Sequence, residues 1–177
     1  MSGRSRATLL ATRRLRLREF RPDDLEHLCR LDSDPRVMRY IGDGSVGTRA
    51  SVAEALARAT KYYRNYPGLG VWPAEECDGQ AFIGWFCLKY VPKTVEVEVG
   101  YRLLPEAWGR GYATEGARAL VRHGFAELGL VRIIGLTHPE NLASQRVLAK
   151  AGLRDAGWGR YYGRDLRLFA ATSRNSR

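Results

Sequence analysis

The sequence predicts an α/β domain around a central mixed sheet, antiparallel in its early hairpins. Three observations predict it. Alternating apolar runs recur at strand length, as in Val95, Val97, Val99, Tyr101 and Leu103, the two-residue period of a strand with one apolar face. Other stretches repeat at helical spacing, as in Ala113, Ala117, Leu120, Val121, Phe125 and Leu128. A glycine-rich turn, Trp108-Gly109-Arg110-Gly111-Tyr112, joins that strand to that helix.

Residues 1–12 read as a disordered tail, 13–171 as a single domain and 172–177 as a second tail. Leu15 and Leu17, alternating with Arg14, Arg16 and Arg18, make a first strand. Pro22 suits the first turn of a helix, with Asp23 and Asp24 at its positive end and Leu25, Leu28 and Leu31 on its apolar face. Asp34-Pro35 starts a short helical piece through Met38 and Tyr40, and 42–47 is a flexible loop. Ser51-x-x-Glu54 has the form of a capping box, opening a helix with Val52, Leu56, Ala59 and Tyr63 in a stripe. Tyr66-Pro67-Gly68 ends it.

Strands at 69–76 and 81–89 flank the hairpin signal Asp78-Gly79. Pro92-Lys93 turns into a fourth strand over 95–103. The glycine turn then opens a helix closed by Gly129. A fifth strand covers 131–137, and a helix over 141–151 turns Ala143, Val147, Leu148 and Ala151 inward before Gly152. Two strands, 153–161 and 164–171, complete the order β-α-α-β-β-β-α-β-α-β-β.

At 177 residues the chain can bury a sizeable core, and 27% charged with 45% hydrophobic residues is ordinary for a soluble globular protein. No run approaches the roughly 18 apolar residues of a membrane span, and the basic first dozen residues lack the apolar segment of a secretory signal. Cys29, Cys77 and Cys87 are odd in number and form no C-x-x-C pair, which argues against disulfides and zinc and for free thiols in a cytoplasmic protein. Of 29 basic residues four are lysine, and the arginines are spread along the chain, giving a formal net charge of +10. Without a recognition motif this charge suits an anionic ligand better than nucleic acid as the main partner.

The glycine turn is the natural anion site. The first-turn amides of a helix lack carbonyl partners, and the helix dipole adds roughly half a positive charge there. Small residues at 109, 111 and 113 let the backbone approach a phosphate closely.

With its neighbours, this turn resembles the GNAT acetyltransferase superfamily, in particular its RimJ and RimL branch of ribosomal-protein N-terminal acetyltransferases. Thr12-Arg13-Arg14-Leu15-Arg16-Leu17-Arg18 with Asp34-Pro35-Arg36-Val37-Met38 is similar to that branch's opening. The run from Gly100-Tyr101-Arg102-Leu103 through Trp108-Gly109-Arg110-Gly111-Tyr112-Ala113-Thr114-Glu115 is similar to its cofactor motif. His138-Pro139-Glu140-Asn141 through Gly152-Leu153 is similar to its next helix. The resemblance implies a GNAT fold: a mixed, mostly antiparallel sheet, splayed between the fourth and fifth strands, with helices on both faces.

It also implies acetyl-CoA as co-substrate, with no metal. Trp108, Gly111 and Ala113 fill the places of the phosphate motif, with Gly109, Arg110, Tyr112 and Thr114 in the same turn. The pantetheine arm would pair with Tyr101, Arg102 and Leu103, and the Leu103 N–H would hold the thioester oxygen. Arg110 and Arg146 stand as phosphate partners or as solvated arginines. Asn141 caps its helix and can touch the pantetheine.

For the chemistry, Glu98 is the candidate general base, set against the alternative that Glu96 and Glu98 are a solvent-facing acidic pair. Many relatives use a tyrosine as general acid on the later helix, and Leu148 stands at that place. Ser144, one turn earlier, is the substitute that the resemblance implies. His27, His123 and His138 have no ligand spacing and read as structural. Tyr40, Tyr62, Tyr63, Trp72 and Trp85 either line an acceptor groove or fill the core.

The expected activity is acetyl transfer from acetyl-CoA to a primary amine by direct attack in a ternary complex. A protein or peptide N-terminus leads as acceptor, with a small-molecule amine next. The alternative is a non-catalytic acyl-CoA-binding regulatory protein, or a ribosome- or RNA-associated one. No membrane partner is expected, and the oligomeric state, a homodimer included, is left open.

Overall fold

The computed structural model describes residues 8–173; of the tails expected at 1–12 and 172–177, the stretches 1–7 and 174–177 lie outside them. The strands are β1 (Thr8–Ala11), β2 (Leu15–Arg18), β3 (Gly70–Glu76), β4 (Phe82–Tyr90), β5 (Val97–Leu103), β6 (Arg132–Thr137), β7 (Arg154–Tyr161) and β8 (Arg164–Thr172). They form one mixed sheet in the order β1-β2-β3-β4-β5-β6-β8-β7. Every neighbouring pair is antiparallel except β5 and β6, which are parallel and share a single bridged pair, Glu98 with Ile134. Beyond that pair the two strands part. The split expected between the fourth and fifth strands is therefore present as β5 and β6, one number on because of an additional strand.

That additional strand corrects the tail expected at 1–12. Residues 8–11 pair with β2 as an edge strand, and Leu9 and Leu10 pack partly buried against the core. The surrounding arginines and threonines hid this short apolar pair. Thr172, expected in the C-terminal tail, likewise extends β8.

The helices are α1 (Leu25–Asp32), α2 (Pro35–Met38), α3 (Arg49–Asn65), α4 (Tyr112–Ala126) and α5 (Leu142–Lys150). Helices α4 and α5 cover one face of the sheet, over a core of Leu15, Leu17, Trp72, Phe86, Leu120 and Ile133. A Cβ at Gly116 would lie 2.3 Å from the Phe86 ring, so glycine there lets α4 sit directly on β4. Helices α1 and α3 cover the opposite face, where Phe20, Leu28, Val52 and Leu56 meet Val71, Phe82 and Trp85.

Two local expectations change. The cap of α3 is Thr48, not Ser51: its hydroxyl accepts the Ser51 N–H at 3.2 Å, so the helix begins two residues before Ser51. Both residue types cap well, and the earlier one wins. Val95, expected on the apolar face of the fourth strand, is 91% exposed. A tight turn with Lys93 at φ 63° and the Thr94 N–H bonded to the Val91 carbonyl delays β5 until Val97.

Candidate active site

One side of the split is built from backbone. After β5 the chain makes one short turn, and Gly109 and Gly111 follow at φ 71° and 81°, a left-handed conformation that glycine adopts without strain. A Cβ at Gly109 would meet nothing within 4 Å, so the chain itself requires glycine for its backbone angle. Helix α4 then starts at Tyr112, with the Glu115 N–H bonded to the Gly111 carbonyl. The earlier first-turn amides, including those of Ala113 and Thr114, lie at its positive end. Trp108, half exposed, donates its indole N–H to the Leu103 carbonyl at 2.8 Å, tying the turn to the end of β5.

A side-chain clamp holds this turn from behind. The Glu115 carboxylate accepts the Thr12 hydroxyl at 2.6 Å, the Arg14 N–H at 3.0 Å and the Arg14 Nε at 2.6 Å. Burial works against its charge, but these hydrogen bonds outweigh burial and hold the carboxyl below its ordinary range. Tyr112 is buried between the guanidinium groups of Arg14 and Arg110, 4.6 and 4.8 Å from its ring centre. Its hydroxyl donates to Glu76, which also pairs with Arg110 at 2.9 Å.

Arg110, a sequence candidate for phosphate, is therefore already engaged by an acid and a ring. Arg146 lies exposed on α5. An open depression of about 500 Å³ beside the start of α4 offers other cations: Arg13, Arg118, Arg122 and Lys150 line it with Gly111 and Thr114. Sequence reasoning missed these. Their signal was the four-residue spacing of Thr114, Arg118 and Arg122, which puts them on one stripe of α4. A positive-φ cradle, a helix N-terminus and a basic depression fit the phosphates of a CoA ester.

Within the split, the Leu104 N–H bonds to Ile83 of the β4 side at 2.9 Å. By alternation the N–H groups of Leu103 and Tyr101 point toward the gap, and the side chain of Arg102 points to the α1 face. Asn141 caps α5, its side-chain Oδ1 accepting the Ser144 N–H at 3.1 Å. The Tyr101 hydroxyl donates to the Ser144 hydroxyl at 3.2 Å. Burial raises the Tyr101 phenol above its ordinary value, with the Ser144 contact opposing. Leu148 is buried against Gly135, where a Cβ would stand 2.5 Å from its methyl. A tyrosine hydroxyl therefore lies beside Ser144, brought there by β5 and not by α5.

On the opposite face lie Glu96 and Glu98, which are not solvent-facing. Glu98 is 8% exposed; its carboxylate accepts from Lys89 Nζ at 2.5 Å and from the Tyr162 hydroxyl. Burial works against the Lys89 charge, while Cys87 and Glu98 outweigh it and hold the ammonium above its ordinary range. Glu96 accepts from Arg132 at 2.6 Å and from the Tyr161 hydroxyl. Nearby, Arg102 pairs with Asp32 of α1 at 2.5 Å and lies over the Trp85 ring. Tyr40 stacks on His138, and Arg164 donates to the Gly42 carbonyl, so the loop after α2 meets the β7–β8 hairpin here.

Of the other aromatic candidates, Trp72 is core, and the Tyr63 and Tyr62 hydroxyls serve backbone groups of Phe20, Val71 and Tyr90. His27 stacks on Phe82. Among the described residues no group of three His, Cys, Asp or Glu is placed to hold a metal, and no helix is long and apolar enough to cross a membrane.

Distance sorts the remaining candidates. Glu98 and Leu103 are five residues apart, about 16 Å of extended chain, so they do not serve the same carbon directly. The N–H of Tyr101 lies nearer Glu98, and that of Leu103 nearer the glycine cradle.

Comparison with known proteins places the family and the fold. Residues 14–154 match the acetyltransferase (GNAT) domain family. The FsC-acetyl coenzyme A-N(2)-transacetylase of Aspergillus fumigatus is 37% identical over 81% of this chain, which spans 64% of that relative's length. A GNAT-family acetyltransferase structure from Bacillus anthracis superposes with a TM-score of 0.78 at 26% identity, covering 93% of this chain and 98% of that one. RimJ of Mycobacterium smegmatis, in complex with CoA-disulfide, shares the fold at a TM-score of 0.76 and 22% identity, covering 92% and 83%. The chain belongs to the acetyltransferase (GNAT) domain family.

Proposed function

We propose that the protein transfers the acetyl group of acetyl-CoA to a primary amine by direct attack, with both substrates bound at the β5–β6 split. The observation that carries this reading is the continuity from the glycine cradle, through the unpaired edge of β5, to the Tyr101–Ser144 hydroxyl pair. The phosphates lie on the first turn of α4 with Arg118, Arg122 and Lys150 around them. The pantetheine runs back along β5, bonded by the Leu103 N–H, and brings the thioester oxygen to the Tyr101 N–H, which stabilises the negative charge developing during attack.

Glu98 takes a proton from the attacking amine. The nitrogen–carbon bond forms, the carbon–sulfur bond breaks, and the departing thiolate receives a proton from Ser144, backed by Tyr101. A thiol with an ordinary pKa near 8.5 is a tolerable leaving group, so a weak hydroxyl acid suffices. A leucine at 148 in place of a tyrosine supports the non-catalytic alternative, and the Tyr101–Ser144 pair weakens it.

A peptide or protein N-terminus leads as acceptor, because an α-amine with a pKa near 8 needs little help from a base. A small-molecule amine has specific support in the Aspergillus relative, whose name gives N(2) of FsC as the acetylated nitrogen. Thiol release from acetyl-CoA, measured across peptides with free N-termini, polyamines and other small primary amines, tests both. Sustained release with a peptide is expected. CoA binding without release for any amine would overturn the enzymatic reading, and release with the small amines alone would replace the peptide.

A further inference from the structure

The two carboxylates of Glu96-Val97-Glu98 are held by consecutive tyrosines that come from across the split. Tyr161 and Tyr162 lie at the tip of the β7–β8 hairpin, and their hydroxyls donate to Glu96 and Glu98 respectively. The hairpin carries an extra residue between Asp155 and Trp158, where Gly157 adopts φ 88°. Such a bulge bends a strand, consistent with a tip that reaches over the β5 face.

Tyr162 occupies a position where turn chemistry asks for a different residue. The loop is the two-residue pair Tyr162-Gly163, both at positive φ, 53° and 74°. Two-residue hairpins of this kind favour asparagine, aspartate or glycine at the first place and disfavour a bulky side chain. The tyrosine is instead secured through its phenol, which accepts from Lys89 Nζ at 2.9 Å and donates to Glu98. Its ring also lies 5.5 Å from the Lys89 ammonium. Residues in unfavourable backbone conformations gather at functional sites, where the surroundings over-determine them.

The groups around the Glu98 carboxylate are Cys87 and Lys89 from β4 and Tyr162 from the hairpin, while Arg102 of β5, on the same face, is paired with Asp32. Of these, Tyr162 connects outward: half of its surface is exposed, whereas Glu98 is 8% exposed. It therefore spans from solvent to a buried carboxylate, and from the β6–β8 side of the split to the β4–β5 side.

We propose that Tyr162 is a positioning residue for acetyl transfer: its hydroxyl fixes the Glu98 carboxylate on the acceptor side of the split and links it to solvent. This rests on the reading of Glu98 as the base. The amine gives one proton to Glu98 as the nitrogen–carbon bond forms. Glu98 returns it through the Tyr162 hydroxyl, which exchanges with Glu98 on one side and with water on the other. The proton needed by the thiolate comes separately, from Ser144, which regains one from solvent, so that the proton leaving through Tyr162 is balanced. No oxidant or further reactant is required.

The test uses the full chain and the amine that gives the fastest thiol release in the panel above. Tyr162→Phe keeps the ring and removes the hydroxyl. Its kcat should fall about tenfold, the effect of one hydrogen bond to a charged group, with the KM for acetyl-CoA unchanged and the melting temperature lowered by a few degrees, since the hydroxyl also secures the turn. Tyr162→Asn restores the favoured turn pair, so it should fold at least as readily and still show the same loss in kcat. Adding Tyr162→Phe to Glu98→Gln should cost nothing further, because the hydroxyl acts through the carboxylate.

Wild-type kcat in Tyr162→Phe, or an equal loss in both backgrounds, would overturn the proposal while leaving Glu98 as the base if Glu98→Gln is impaired. Wild-type kcat in Glu98→Gln would overturn both, and that variant alone tells the two failures apart.

Discussion

The two sides of the β5–β6 split are made by opposite means. The donor side uses backbone: two glycines at positive φ, the first turn of α4 and the unpaired edge of β5. The acceptor side uses side chains from segments far apart in the chain, Lys89 with Glu98 and Tyr162, Asp32 with Arg102, and Arg164 with the Gly42 carbonyl. A backbone cradle holds what every member of a reaction class shares, here a phosphate-bearing donor. Side chains can be exchanged one at a time, which suits the substrate that differs among relatives. Damage to the donor side should therefore weaken binding of CoA, whereas damage to the acceptor side should change turnover and leave CoA affinity intact.

The largest effect should come from the cradle. Gly111→Val puts a β-branched residue at φ 81°, a conformation that costs such a residue on the order of 1–3 kcal/mol and that the chain escapes by turning the amides away. CoA affinity by calorimetry should fall on the order of a hundredfold, the sum of that strain and lost amide contacts, with the fold retained. Unchanged affinity would mean that phosphate is held by Arg118, Arg122 and Lys150 instead, and the division between the two sides would fail.

Next comes the clamp behind the cradle. Glu115→Gln replaces a carboxylate that accepts from Thr12 and Arg14, and loss of such charged hydrogen bonds should cost about 2 kcal/mol. The folded-state carboxyl is held below its ordinary range. Its stabilising contribution is thus fully present above the unfolded value and is lost as pH falls through the lower folded one. The gap in melting temperature between wild type and Glu115→Gln should be constant above about pH 5, where an ordinary glutamate is ionised, and close on acidification below it. A gap that widens toward low pH would rule out the clamp as drawn.

This contrast also explains what the sequence shows. The cradle is local: strand, glycine turn and helix follow within one segment, and each residue type states its own backbone requirement, so Gly109, Gly111 and the cap at Asn141 are all legible. Strand and helix periods gave the sheet for the same reason. The acceptor side hides because its partners are far apart in the chain. Nothing in Glu96-Val97-Glu98 announces that Tyr161 and Tyr162 will cover it, and alternation alone placed those carboxylates in solvent. Arg110 misleads similarly, since its partners Glu76 and Tyr112 meet it only through the folded sheet. The edge strand β1 was obscured by the polar residues around Leu9 and Leu10.

The smallest effect, and the sharpest division, concerns the hydroxyl pair between the two sides. If Ser144 protonates the thiolate and Tyr101 only supports it, Ser144→Ala should lower kcat about tenfold, a modest share of what general acid catalysis can supply. Tyr101→Phe should lower it less, by about threefold, because the ring still packs against Phe86 and only a 3.2 Å hydrogen bond is lost. Both should keep wild-type affinity for CoA, separating them from the cradle variants. An inverted order, with Tyr101→Phe the more damaging, would make Tyr101 the acid. The reacting sulfur would then lie against β5, which would replace the tyrosine that relatives carry on the later helix with one from the strand beside it.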